Sequence, residues 1–155
     1  MTPYIPYAWQ PIRSSITIPA STHRRRLNVL GFLNRRNALY PYVIEGKVDT
    51  ETIVECFEQF SKQVKKRTYV FLDNAPMHRS KGFIQHISAW VKKGLIVKYL
   101  PPYSPELNLI EILWRFMKYQ WLPFSAYMSF QGLVQAIEDI LIRFGTEYTI
   151  TFQVT

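Results

Sequence analysis

Two apolar runs, TYVFLD at 68–73 and LIVKYL at 95–100, constrain the fold more than any other feature of the chain. Both are apolar almost throughout, so each reads as a strand covered on both faces. Between them lies KGFIQHISAWVKKG (81–94), in which Phe83, Ile84, Ile87, Trp90 and Val91 recur at helical spacing and Gly94 suits a C-cap. A buried strand, a helix and a second buried strand make a parallel crossover unit. Upstream, RLNVLGFLN (26–34) alternates, with Leu27, Val29, Gly31 and Leu33 on one face, and LYPYVIEG (39–46) follows a polar turn at 34–37. With SITIP (15–19) these predict an antiparallel meander of three strands, preceded by a proline-containing extended arm. A helix capped by Asp49 or Thr50 carries Ile53, Val54, Phe57 and Phe60 inward. Near the end, Ile110, Trp114, Met117 and Trp121 mark one helix face, and a last helix runs from about Phe130 to Phe144 through Leu133, Val134, Ile137 and Leu141. The expectation is one mixed α/β domain over residues 1–155, with an antiparallel part followed by a parallel part.

A chain of 155 residues that is 48% hydrophobic can bury such a core. No apolar run approaches the roughly 20 residues that cross a bilayer. MTPYIPYAWQPIRSS at the start lacks the charged head and apolar middle of a signal peptide. The single cysteine, Cys56, forbids an internal disulfide and fits a reducing, intracellular setting. Net charge is +8, and the cations cluster at 23–26 (HRRR), 35–36, 65–67 (KKR) and 92–93. Such a balance attracts polyanions, nucleic acid first among them; the plain alternative is a set of solvated loops.

Two carboxylates stand out by their setting. Asp73 closes the first buried strand, and ligands of open α/β sheets gather at such carboxyl ends. The second buried strand ends at Leu100 and runs into PPYSPE, where prolines restrict the backbone just ahead of the helix that begins with Glu111. Parallel pairing predicts that the two exits lie side by side and that the stiff loop brings Glu111 toward Asp73. A pair of hard oxygen donors suits Mg²⁺ or Mn²⁺, and with a third carboxylate could hold two ions for phosphodiester chemistry. Each residue also has a plain reading. Asp73 can close an Asx turn, Asn108 and Glu111 can form a capping box, Glu111 and Arg115 can be a surface ion pair, and His78 can be a loop hydrogen-bonder. Glu111, Arg115 and Lys118 share one exposed stripe that would suit metal at the helix start and phosphate along it.

LDNAPMH (72–78) followed by LPPYSPELNLIE (100–111) resembles the catalytic core of DDE transposases of the mariner superfamily, in its bacterial insertion-sequence branch. The matching residues are Asp73, Asn74 and His78, then Leu100, Pro101, Tyr103, Ser104, Pro105, Leu107, Asn108, Ile110, Glu111 and Trp114; YAWQP (7–11) and RLNVLGFL (26–33) resemble the family's early strands. The resemblance implies a ribonuclease H-like fold, Mg²⁺ or Mn²⁺, and hydrolysis followed by strand transfer at DNA 3′ ends. By the same resemblance Asp73 is the second catalytic and metal-binding acid and Glu111 the third, supported by Asn74, His78 and Asn108. Arg24, Arg25, Arg26, Lys81, Arg115 and Lys118 are the candidate DNA contacts; the resemblance further implies a homodimer for the full-length form and a bacterial cytoplasmic setting.

The sequence departs from that pattern twice. Leu109 stands where the family has proline. No aspartate matches the first acid: the aspartates are Asp49, Asp73 and Asp139, and Asp49 reads as a helix cap. The sequence-based expectation is therefore a catalytic portion lacking its first strand, its first acid and a helix-turn-helix region, inactive alone and prone to self-association through an open sheet edge. The competing expectation is a non-catalytic DNA-binding or subunit-interaction fragment.

Overall fold

The computed structural model describes residues 25–102 and 104–152. The expected strand at 15–19, the YAWQP segment, Arg24 and Tyr103 lie outside the described residues.

Strands β1 (Leu27–Leu33) and β2 (Leu39–Glu45) pair antiparallel, from Leu27 opposite Glu45 to Leu33 opposite Leu39. Their turn is closed by the Asn34 side chain, whose Oδ1 accepts the Arg36 and Ala38 amides at 2.8 and 3.1 Å. Asn37 takes a left-handed φ of 60°, a conformation Asn tolerates better than most residues, and its amide side chain clasps the Ile150 backbone through both its oxygen and its nitrogen. Asp49 caps α1 (Thr50–Ser61) by accepting the Thr52 amide at 3.0 Å. Strands β3 (Thr68–Leu72) and β4 (Leu95–Tyr99) then pair in parallel, in register from Thr68–Leu95 to Leu72–Tyr99, as the crossover pattern requires.

The segment between β3 and β4 is not one helix. A 3₁₀ turn (Pro76–Arg79) leads to α2 (Lys81–Ile84) and α3 (Ile87–Lys92), with a break at Gln85 and His86. The His86 amide bonds to the Phe83 carbonyl three residues back, so the chain tightens there. Phe83 and Trp90, seven residues apart, are both fully buried, while Ile84 and Val91, expected to face inward, are about half exposed. Gly94, at a φ of 86°, ends α3 as expected.

After β4, a 3₁₀ turn (Pro105–Leu107) precedes α4 (Leu109–Phe116), which continues as a π turn (Met117–Trp121). The wider turn keeps Trp121 against Phe144 and Tyr148. Ser129 caps α5 (Phe130–Arg143), its Oγ accepting the Gly132 amide at 3.0 Å.

The described strands form two separate pairs, not the single mixed sheet expected. Two hydrophobic clusters correspond to them. One gathers Ile53, Phe57, Phe60, Phe83, Trp90 and Leu95 around β3 and β4; the other gathers Leu27, Leu113, Met117, Ile137, Ile140 and their neighbours around α4 and α5. β1 serves both, because successive side chains point to opposite faces: Leu30 and Phe32 pack on the first cluster, Leu27, Val29 and Leu33 on the second. No helix among the described residues is long and apolar enough to cross a membrane.

Candidate active site

The site is built where β3 and β4 end. Pairing runs one residue past the strands, the Leu100 amide donating to the Leu72 carbonyl at 2.7 Å, so the two chains leave together. Asp73 then turns the backbone. Its Oδ1 accepts the Ala75 amide at 3.1 Å, the expected Asx turn, and also meets His78 Nδ1 at 2.8 Å. The 3₁₀ turn that opens with Pro76 brings His78 back to Asp73, five residues along the chain. Asp73 is about half exposed and His78 mostly buried. Because both contacts use Oδ1, the other carboxylate oxygen has no hydrogen bond among the described residues.

On the opposite side, the prolines deliver Glu111 through a chain of local bonds. The Leu107 amide donates to Ser104, that of Asn108 to Pro105, and that of Glu111 to Asn108, at 3.1, 3.0 and 3.0 Å. The expected capping box does not form: Asn108 makes no side-chain bond to the helix backbone, having φ −88° and ψ 89°. Its amide instead points at the Glu111 carboxylate, Nδ2 to Oε1 at 3.4 Å. The expected Glu111–Arg115 ion pair is absent among the described residues.

An open cleft of about 380 Å³ joins the two sides. Asp73, Asn74 and Leu100 line it from the strand exits, Pro101, Pro102, Ser104 and Pro105 from the loop, and Asn108 and Glu111 from the helix start. Both carboxylates singled out in the sequence, and the proline loop between them, thus line one cleft. Neither Arg79 nor Tyr99, which brace the loop beside Asp73, is singled out by the sequence. Arg79 donates through Nε (3.1 Å) and Nη2 to Asn74 Oδ1, and its guanidinium lies 4.0 Å from the centre of the Tyr99 ring. Tyr99 donates its hydroxyl to the His78 carbonyl at 2.7 Å. The signal was present in the sequence as alternate positions on β4 and a cation after His78, but neither pattern announces a contact.

The candidate DNA contacts lie elsewhere. Arg25, Arg26, Lys81 and Arg115 are exposed and Lys118 is partly covered, and none lines the cleft. Arg25 sits over the Phe130 ring and Lys118 over Tyr119, at 5.3 and 5.2 Å. Cys56 is buried in α1, and burial pushes its thiol up, which suits a packing role and not that of a nucleophile.

Two carboxylates on one solvent-open cleft are the donor type that a hard divalent ion takes, with solvent left to complete the shell. The cleft does not supply a third. All 11 acidic residues of the sequence fall among the described residues, and there no three His, Cys, Asp or Glu side chains converge in a way that would hold a metal.

A family model described as DDE superfamily endonuclease matches residues 1–133. The uncharacterized protein y4pE/y4sA of Sinorhizobium fredii is 28% identical over 88 residues, which cover 56% of this chain and 61% of that protein. A solved structure, the simian T-cell lymphotropic virus intasome in complex with PP2A regulatory subunit B56 gamma, aligns over 94% of this chain and 62% of its own at 14% identity. Its TM-score of 0.41 is too low for that likeness to carry a fold argument. The alignments span 61% and 62% of the two relatives' own lengths. The family match takes in β1 through α4, and with them both carboxylates and the cleft they line: this chain belongs to the DDE superfamily endonuclease family.

Proposed function

We propose that the chain is the catalytic domain of a DNA transposase, of the insertion-sequence branch of the mariner superfamily, with a ribonuclease H-like fold. In this reading Asp73 and Glu111 hold a Mg²⁺ or Mn²⁺ ion. The observation that carries it is the convergence of Asp73 and Glu111 on one open cleft, from a strand exit and a helix start, in a chain of the DDE family. When bound there, a divalent ion supplies Lewis acidity toward a phosphodiester. The chain's own residues do the rest of the arranging. His78 and the Ala75 amide fix one oxygen of Asp73, leaving the other toward solvent, and Asn108 steadies Glu111. The exposed cations Arg25, Arg26, Lys81 and Arg115 draw DNA to the surface by counterion release.

Two-metal chemistry in this reading takes a further carboxylate from outside this sequence, since no third acid of the chain converges on the pair. Titration of Mn²⁺ into the chain, followed by calorimetry or by the loss of free-ion paramagnetic resonance signal, tests the site. Saturable binding is expected, abolished in Asp73→Asn and in Glu111→Gln. Equal binding by both variants and the unaltered chain would sink the proposal.

The missing third acid favours one other reading, a DNA-binding module without chemistry. Salt-sensitive DNA binding that is indifferent to EDTA, in a chain with no saturable Mn²⁺ site, would select it.

A further inference from the structure

We propose that Arg79 and Tyr99 form a latch that positions the Asp73 loop against the exit of β4, and so sets how well the cleft grips a divalent ion. The inference rests on the reading of Asp73 and Glu111 as a metal site and adds two positioning residues to it.

The contacts cross between the two strand exits three times and close on themselves through the backbone. Asn74 Nδ2 donates to the Leu100 carbonyl at 2.9 Å, tying the residue after Asp73 to the start of the proline loop. That leaves Asn74 Oδ1 facing the other way, where Arg79 satisfies it with Nε and Nη2 together. The fork of Arg79 therefore decides which way the Asn74 amide points, and with it whether the bond to Leu100 exists. Arg79 in turn sits over Tyr99, its guanidinium carbon 4.0 Å from the ring centre. Tyr99 closes the ring by donating to the His78 carbonyl at 2.7 Å, holding the turn whose imidazole meets Asp73. Lysine at position 79 would keep the charge and lose the two-donor fork, so the two functions of the residue are separable.

Arg79 and Asn74 are exposed, so their contacts add little to the core, and the latch acts on local geometry. Groups that orient metal ligands from behind change affinity by about 10- to 100-fold when removed. The test is Mn²⁺ titration of the whole chain, alongside thermal melting, for Arg79→Lys, Asn74→Ala, their double variant and Tyr99→Phe. The expected result is an affinity loss of about tenfold in Arg79→Lys and in Asn74→Ala, with no further loss in the double variant, because the two act as one unit. Tyr99→Phe keeps the ring under Arg79 and is expected to lose less. Melting temperatures close to that of the unaltered chain accompany these losses.

Unchanged affinity in Arg79→Lys and Asn74→Ala, with the unaltered chain binding Mn²⁺, overturns the latch while leaving the site. Additive losses, or losses matched by a collapse in melting temperature, overturn it in favour of a structural role. An unaltered chain that binds no Mn²⁺ overturns the site reading itself, and the latch with it.

Discussion

The two hydrophobic clusters are built from different materials. The cluster around β3 and β4 is aromatic: Phe32 stacks on Phe60 at 4.0 Å between ring centres, and Phe57 meets both Phe83 and Trp90 at 5.1 and 4.8 Å. The cluster around α4 and α5 is centred on aliphatic side chains, with Leu113, Met117, Ile137 and Ile140 almost wholly buried. Each cluster holds one carboxylate. Asp73 follows the strand whose Val70 and Leu72 pack on the aromatic cluster, and Glu111 stands between Ile110 and Ile112, which pack on the aliphatic one. The cleft lies on the seam, so the separation of its two acids depends on how the clusters are joined and not on either core alone. β1 is one joint, packing a face on each.

The largest expected effects come from removing the centre of each cluster. Trp90→Ala is expected to cost about 3–5 kcal/mol and Leu113→Ala about 2–5 kcal/mol in urea unfolding. The comparison is sharpened by native-state hydrogen exchange: Trp90→Ala should speed exchange mostly in α1, α3, β3 and β4, and Leu113→Ala mostly in α4 and α5. Equal acceleration everywhere in both variants would merge the two clusters into one cooperative core.

Gly31→Val strikes the joint. A Cβ at Gly31 would lie 3.1 Å from Leu39 Cδ1 and 3.4 Å from Ile110 Cδ1, so a branched side chain there presses on the residue next to Glu111. A loss of about 1–3 kcal/mol is expected from overpacking. Weaker Mn²⁺ binding should accompany it, with exchange in loop 73–79 unchanged; faster exchange in that loop would show that the seam is not where the strain goes.

Ser129→Ala removes the cap of α5 and is expected to cost about 0.5–2 kcal/mol, seen as a lower urea midpoint with early exchange at the start of α5. An effect spreading to β3 and β4 would again argue for a single core.

The smallest effect belongs to Glu58, which ties α1 to α3 within the aromatic cluster. Its carboxylate accepts from Lys93 Nζ and Trp90 Nε1, both at 2.7 Å, and these bonds, that of Lys93 foremost, hold its pKa below the ordinary glutamate value. A lowered native pKa means stability that is present above the unfolded-state value of about 4.3 and is lost as pH falls through the native one. After allowance for solvent screening, Glu58→Gln is expected to cost about 0.5–1 kcal/mol at pH 7 and less at pH 3. A gap of equal size at both values would assign the effect to packing instead of charge.

Much of this was legible in the residues. The parallel β3–β4 pair follows from two unbroken apolar runs around a helix-length spacer, the hairpin from alternation around a polar turn, and the faces of α1, α4 and α5 from helical spacing. Short-range periodicity failed where tertiary packing set the geometry. It predicted one helix over 81–94 with a broad inward stripe, but the helix breaks at Gln85 and His86, and the buried face is narrower, with Phe83 and Trp90 inside and Ile84 and Val91 about half exposed. It likewise offered a capping box at Asn108, whose backbone conformation aims the amide at the Glu111 carboxylate instead.

The sequence by itself determined the β1–β2 hairpin, the parallel β3–β4 pair and the inward faces of α1 and α5, because those depend on side-chain periodicity and on backbone limits set by proline and glycine within a few residues. Only the tertiary structure decided that the described strands form two separate pairs and that Arg79, Asn74 and Tyr99 brace the cleft that Asp73 and Glu111 line. Those facts depend on distances between residues far apart in the chain, fixed by how two separately packed clusters meet along β1.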